Sequence, residues 1–147
     1  MAHIVRAVEG DATSTAPAIE VKRVDFAYVP ARDFERAEDF YGGVIGLPIS
    51  KRYGKMPGAE FETGNLTLAV IQPDAFGLEF HANKNGIALQ VDDVESARAE
   101  LESRGVQFLA DTIDSGVCHM AFFEDPDGNV LLLHHRYAPP DARPPGM

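Results

Sequence analysis

"VDDVESARAELESRGV", Val91 to Val106, has a counterpart sixty residues earlier in "ARDFERAEDFYGGVIG", Ala31 to Gly46. Asp, Glu and Ala recur at the same offsets, as Asp33, Glu35 and Ala37 and again as Asp93, Glu95 and Ala97. Each copy has helical spacing. Phe34, Ala37, Tyr41 and Val44 fall on one face of the first, and Val94, Ala97 and Leu101 on one face of the second. Asp33 suits the positive end of a helix, and Gly42-Gly43 lie near its stop. Asp92 and Glu95 stand in a capping-box relation, and Gly105 supplies a C-terminal stop.

The flanks of the two copies match as well. "VKRVDFAYV", Val21 to Val29, is rich in strand formers and ends at Pro30, while "GIALQV", Gly86 to Val91, precedes the second helix. Three short strands are expected after the first helix, at Pro48–Tyr53, Ala59–Thr63 and Leu66–Gln72, the last two joined by a tight turn at Gly64-Asn65. Three more are expected after the second helix, at Val106–Asp111, Val117–Phe123 and Asn129–His135. Asp125, Pro126, Asp127 and Gly128 form the final turn; Pro presets one turn position and Gly tolerates positive φ at another. The order strand–helix–three strands thus occurs twice. It predicts an α+β fold of two tandem βαβββ modules, neither able to bury its sheet alone.

The expected domain runs over residues 21–137, with module 1 at about 21–73 and module 2 at about 86–137. Residues 1–20 lack periodicity and read as an N-terminal tail; residues 138–147 read as a proline-rich C-terminal tail. At 147 residues there is room for one ordinary domain. Thirteen basic against 23 acidic residues give a net charge of −10, with no basic stripe, so a nucleic-acid backbone would be repelled. No apolar run approaches the roughly 18 residues a membrane span requires, and no membrane partner is expected. The N-terminal residues lack the basic–apolar–small pattern of a secretory signal, and the single cysteine, Cys118, excludes an intramolecular disulfide. Both point to the cytoplasm.

"DFERAEDFYGGVIGL", its second copy, and the closing "FEDPDGNVLLL" together resemble the vicinal oxygen chelate superfamily, which includes glyoxalase I, extradiol dioxygenases, and fosfomycin and bleomycin resistance proteins. The resemblance covers about Val21 to Tyr137. It implies eight strands in two curved mixed sheets enclosing a pocket, completed in a homodimer. It does not choose an activity, because the fold hosts many chemistries.

In metal-using members of that superfamily, the first and last strands of each module supply His, Gln or Glu ligands. By the same counting, the positions here are Phe26, Gly86 and Leu132, with Gln72 at the end of the fourth strand. A catalytic divalent metal needs about three lone-pair donors, and only Gln72 has one. No metal and no other cofactor is expected. A rearranged metal site would have to draw on His134, Cys118 and Asp25, the last turned inward by a bulge near Pro30.

Alternation along the strands groups the candidate ligand-binding residues. Leu132 and His134 share a face of the last strand, Cys118, Met120 and Phe122 line that face from its neighbour, and Phe26 and Tyr28 share a face of the first strand. His135 and His119 belong to the opposite faces, and Tyr41 to the helical core stripe. No catalytic residue is assigned; His134 is the candidate, as an imidazole suited to proton transfer near neutral pH. Two functions follow. One is a binding protein that holds a small organic molecule in a metal-free pocket of Phe26, Tyr28, Gln72, Cys118, Met120, Phe122, Leu132 and His134. The other is a glyoxalase-like lyase or isomerase, or a dioxygenase-type enzyme, with a rearranged metal site or His134 as acid/base. A module with no small-molecule role is the third possibility.

Overall fold

The computed structural model describes residues 19–146, so the expected N-terminal tail lies, but for its last two residues, outside the described residues. The first unit is β1 (Ala27–Pro30), α1 (Phe34–Glu38), β2 (Ile49–Arg52), β3 (Gly58–Glu62) and β4 (Thr67–Ile71). The second is β5 (Ile87–Gln90), α2 (Val94–Ser103), β6 (Ile113–Asp114), β7 (Cys118–Glu124) and β8 (Val130–Arg136). Each unit builds one four-stranded mixed sheet, in the orders β1-β4-β3-β2 and β5-β8-β7-β6. β1 runs parallel to β4 and β5 parallel to β8, while the remaining pairs are antiparallel. This is the duplicated βαβββ order read from the sequence.

Val29, Phe61, Leu68 and Val70 of the first sheet join Ala121, Phe123, Leu131 and Leu133 of the second in one buried cluster, together with Phe34, Ala37, Val94 and Leu101 of the helices. The two units therefore share a core and bury each other's apolar surface. Phe40 stands edge-on to Tyr41 with ring centroids 5.3 Å apart, and lies 6.3 Å from Phe123 of the other unit.

The unit boundary is also pinned by polar contacts. Tyr41 donates to Asp125 at 2.7 Å, and Asn129 donates from its side-chain amide to the carbonyl of Pro30 at 2.8 Å and to Asp125 at 2.7 Å. Asp125 in turn accepts from the backbone amides of Asp127 and Asn129, and Arg36 pairs with Asp127 at 2.5 Å. Asp125 and Asn129 are the only buried residues of polar type among the described residues, and their contacts satisfy them. The "DPDGN" turn is thus a plug between the units as well as a hairpin turn.

The first strand is shorter than Val21–Val29, and residues 21–25 lie exposed. It includes Pro30, whose missing N–H is harmless because β1 is an edge strand and that position turns away from β4. The first helix leaves α geometry after Glu38 and continues as a π-helical segment, Asp39–Val44, across Gly42-Gly43. The cap of α2 is Asp93, accepting from the Ser96 amide, and not Asp92; Asp33 plays the same part in α1 by accepting from Glu35. The strand expected at Val106–Asp111 reduces to one bridge between Phe108 and Phe123, with β6 forming later. Arg98 donates to the Ala110 carbonyl and, just past that segment, to the Thr112 hydroxyl, while the Leu109 amide keeps its bond to the Phe122 carbonyl.

Candidate functional site

Each sheet has one face toward the helices and core and one away from them. In the second sheet, registry places Gln90, His134, Met120 and Ile113 in one row of the helix-distal face, and Ala88, Leu132 and Phe122 in the next. Cys118 lies on the same face, opposite Arg136. A Cβ built on Gly86 would lie 2.8 Å from Leu132 and 3.5 Å from Phe122, so the missing side chain lets those two residues pack directly against the backbone there. Cys118 and Leu132 are buried, whereas Met120, Phe122 and His134 are partly open. The Cys118 sulfur lies 3.1 Å from the Ser115 hydroxyl. His134 has no side-chain hydrogen bond among the described residues, which leaves its ring nitrogens available.

In the first sheet, Tyr28 and Phe26 face away from the core, and are 41% and 49% exposed. Tyr28, Ala69 and Glu60 form one row across β1, β4 and β3. Ala69 is small, so the tyrosine and the carboxylate flank a low floor about 10 Å wide, the width of two strand spacings. Glu60 accepts from the Tyr53 hydroxyl at 2.7 Å; burial, then this bond, pushes the Tyr53 phenol up to about 12. Glu62, two residues on, accepts from Ser50 at 2.5 Å and Thr67 at 2.8 Å, and these bonds hold its carboxyl below the usual range. Neither carboxylate has an ion-pair partner among the described residues. Sequence reading missed both, although their alternation with buried Ala59 and Phe61 was visible.

Gln72 does not join this face. Its side chain accepts from the Phe34 amide at 3.0 Å and donates to Asp74, so it braces the entry of α1 on the helix side. Period-two parity explains the correction: Ile71 pairs with Pro30 and looks away from the helices, so the next residue looks toward them. His135, the corresponding residue of unit two, likewise looks toward the helices, because His134 beside it pairs with Gln90 on the helix-distal face. His119 is near Asp114 at 3.4 Å and packs on the Tyr137 ring, 4.8 Å between centroids. Asp25 is exposed and pairs with Arg23, which removes it from the rearranged metal site with His134 and Cys118.

A cleft of about 790 Å³ does not lie over the helix-distal faces. It runs along the outer edge of β5 between the units, and touches the second face only at Ala88, Gln90 and His134. Phe26, Tyr28, Met120, Phe122 and Leu132 do not line it. Apart from Gln72, the predicted ligand-binding residues thus gather into two groups, one on each sheet.

Residues 23–133 match the model of the Glyoxalase/Bleomycin resistance protein/Dioxygenase superfamily. The chain belongs to this superfamily. Among curated relatives, YetH of Bacillus subtilis (strain 168), itself uncharacterized, is 26% identical over 117 residues, covering 77% of this chain and 98% of YetH. Among solved structures, TnmS3, an antibiotic binding protein from Streptomyces sp. CB03234, is 26% identical with a TM-score of 0.67, covering 80% of this chain and 98% of its own. Lactoylglutathione lyase from Agrobacterium tumefaciens has a TM-score of 0.66 at 17% identity, covering 78% and 94%, and this likeness concerns the fold alone.

The superfamily's metal positions can be tested against the donors present. Leu132 pairs with Ala88 as Ala69 pairs with Tyr28, so Ala69 is the first-unit equivalent of Leu132. Phe26, Ala69, Gly86 and Leu132 offer no side-chain lone pair, and among the described residues no three His, Cys, Asp or Glu side chains converge to hold an ion. These positions do not fit a divalent metal. No helix among the described residues is long and apolar enough to cross a membrane.

Proposed function

We propose that this chain is a small-molecule binding protein, acting as a cytoplasmic homodimer whose helix-distal faces hold an apolar or partly aromatic ligand without a metal. The observation that carries the reading is the second sheet's helix-distal face. There Cys118, Met120, Phe122 and Leu132 supply apolar area, and His134 offers an imidazole with no side-chain hydrogen bond among the described residues. A mostly apolar surface with a few oriented polar groups is the usual make-up of a ligand site. The likeness to TnmS3 supports the same reading. Dimerisation is supported by exposed Phe26 and Tyr28, together with Leu109 and Ile113, which the described residues leave uncovered.

Titration of the untagged protein with aromatic compounds, followed by calorimetry and by mass spectrometry of the recovered compound, tests the proposal. Saturable binding of unchanged ligand, with no stoichiometric metal by elemental analysis, is the expected result. Chemical conversion of the ligand, or a stoichiometric transition metal, would overturn it. A second reading has one observation of its own: His134 borders both the apolar face and the cleft, its ring without a hydrogen bond among the described residues, as an acid/base in a glyoxalase-like lyase or isomerase would require. Turnover that vanishes in His134→Gln would select this alternative.

A further inference from the structure

The internal duplication indicates what belongs in the cleft along β5. Ala31 donates its amide to the Ile71 carbonyl, and Val91 in the same way to the His134 carbonyl, at 2.9 and 3.0 Å. Odd-numbered residues of β1 and β5 therefore turn their backbone groups to the inner neighbour, while residues 30 and 90 turn theirs to the free edge. At residue 30 that edge is closed: the Asn129 side-chain amide donates to the Pro30 carbonyl, braced by Asp125 and Tyr41.

The equivalent closure at residue 90 is missing. Leu66 precedes β4 as Asn129 precedes β8, and Leu101 stands sixty residues after Tyr41. The short turn around Gly64-Asn65 contains no counterpart of Asp125. Where the first site holds a hydrogen-bonded plug, the second holds the cleft of about 790 Å³, lined by Leu66, Leu68, Ile87, Leu89, Ala97 and Leu101. This volume lies in the range of small-molecule sites. At its margin Arg104 and Glu100 pair with each other at 3.0 Å, and a second Arg104 nitrogen donates to the Val44 carbonyl, so that cation is already satisfied.

We propose that this cleft is a second ligand site, distinct from the helix-distal faces, and that it takes a neutral apolar molecule bearing a primary amide, whose N–H donates to the Gln90 carbonyl as Asn129 donates to Pro30. The ligand replaces in unit two the plug that unit one receives from the chain itself.

Naphthalene carboxamide and methyl naphthyl ketone, which differ by NH₂ against CH₃, form a suitable probe pair. Amide-resolved NMR titration of the full chain is expected to move the signals of Leu66, Gln90, Val91 and Leu101 as a set of their own, whether or not the probes also shift Met120 and Phe122 on the helix-distal face. The carboxamide should bind roughly fivefold tighter, the contribution of one hydrogen bond in competition with water. In Leu66→Asn the chain supplies its own amide, so this preference should disappear. Ala97→Leu, which narrows the cleft and keeps the Gln90 carbonyl, should weaken both probes. Equal affinities in the wild type, shifts confined to the helix-distal faces, or no shifts up to the solubility limit would each overturn the proposal.

Discussion

Tyr41 and Asp125, 84 positions apart in the chain, are joined by a buried hydrogen bond of 2.7 Å that ties the first unit's helical segment to the second unit's last turn. Burial, then the carboxylate, drives the Tyr41 phenol far above its ordinary pKa. Tyr41→Phe leaves one lone pair of Asp125 without its donor and is expected to cost about 1–3 kcal/mol. Asp125→Ala strands Tyr41, Asn129 and two backbone amides, and should cost roughly 3 kcal/mol or more. Urea unfolding of both variants, with ligand binding as the control, measures the difference.

Alkaline pH should weaken the fold by a traceable route. Tyr41 and Tyr53 both have pKa values raised above 10.0 in the folded protein, so their contribution is present below that value and is lost as the unfolded chain ionises first. The urea midpoint is expected to fall as pH rises from about 10 to about 12, and to fall less in Tyr53→Phe. An equal decline in that variant would remove Tyr53 from the account.

Acid acts through the helix cap. The Ser96 amide, foremost, holds the Asp93 carboxyl below its ordinary 3.8, so its stabilisation is present above that pH and is lost as pH falls through the folded value. Asp93→Asn keeps a capping oxygen and removes the titration. Its stability should therefore depend less steeply on pH than that of the wild type in the acid limb, as read from urea midpoints.

Restoring donors provides a test of the metal-free reading. Gly86 and Leu132 lie side by side on the helix-distal face, so Gly86→His with Leu132→Glu sets an imidazole and a carboxylate on neighbouring strands. The double variant is expected to compete with a weak chelator for nickel or zinc, and the wild type is not. Competition by the wild type would show that donors outside these positions bind metal.

His134→Ala should leave stability within about 0.5 kcal/mol, since the ring makes no side-chain bond among the described residues and is partly exposed. It should nonetheless weaken an aromatic ligand that carries a hydrogen-bonding group. Unchanged affinity would take His134 out of the site.

Most of the fold was legible in the sequence because two periodicities and their repetition specify it. Both helices and seven of the expected strands correspond to observed elements, and the buried faces follow from alternation around Val29, Phe61 and Leu131. The losses have local causes. Gln72 falls on the wrong face by a one-residue parity error, and Val106–Asp111 reads as strand although Arg98 takes the Ala110 carbonyl and pairing is left to the Phe108–Phe123 bridge. Asp125 and Asn129 read as turn residues; their role as an inter-unit plug depends on partners 84 and 99 positions away. One clue was available: Tyr41 sits in an apolar helical stripe, and a buried tyrosine hydroxyl needs a polar partner. The cleft had no signature at all, because it results from what the first hairpin lacks.

The long reach of the final turn also governs when the chain can fold during synthesis. The first unit leaves the ribosome with Phe40 and Tyr41 packed only on their own unit, Phe61 included, since Phe123 and Asp125 have yet to be made. Its helical segment must wait for nearly the whole chain before its outer side is covered, which sets a high entropic barrier and a window for misassociation. The duplicated halves thus have unequal histories: the early one waits in the open, and the late one arrives with the residues that lock it shut.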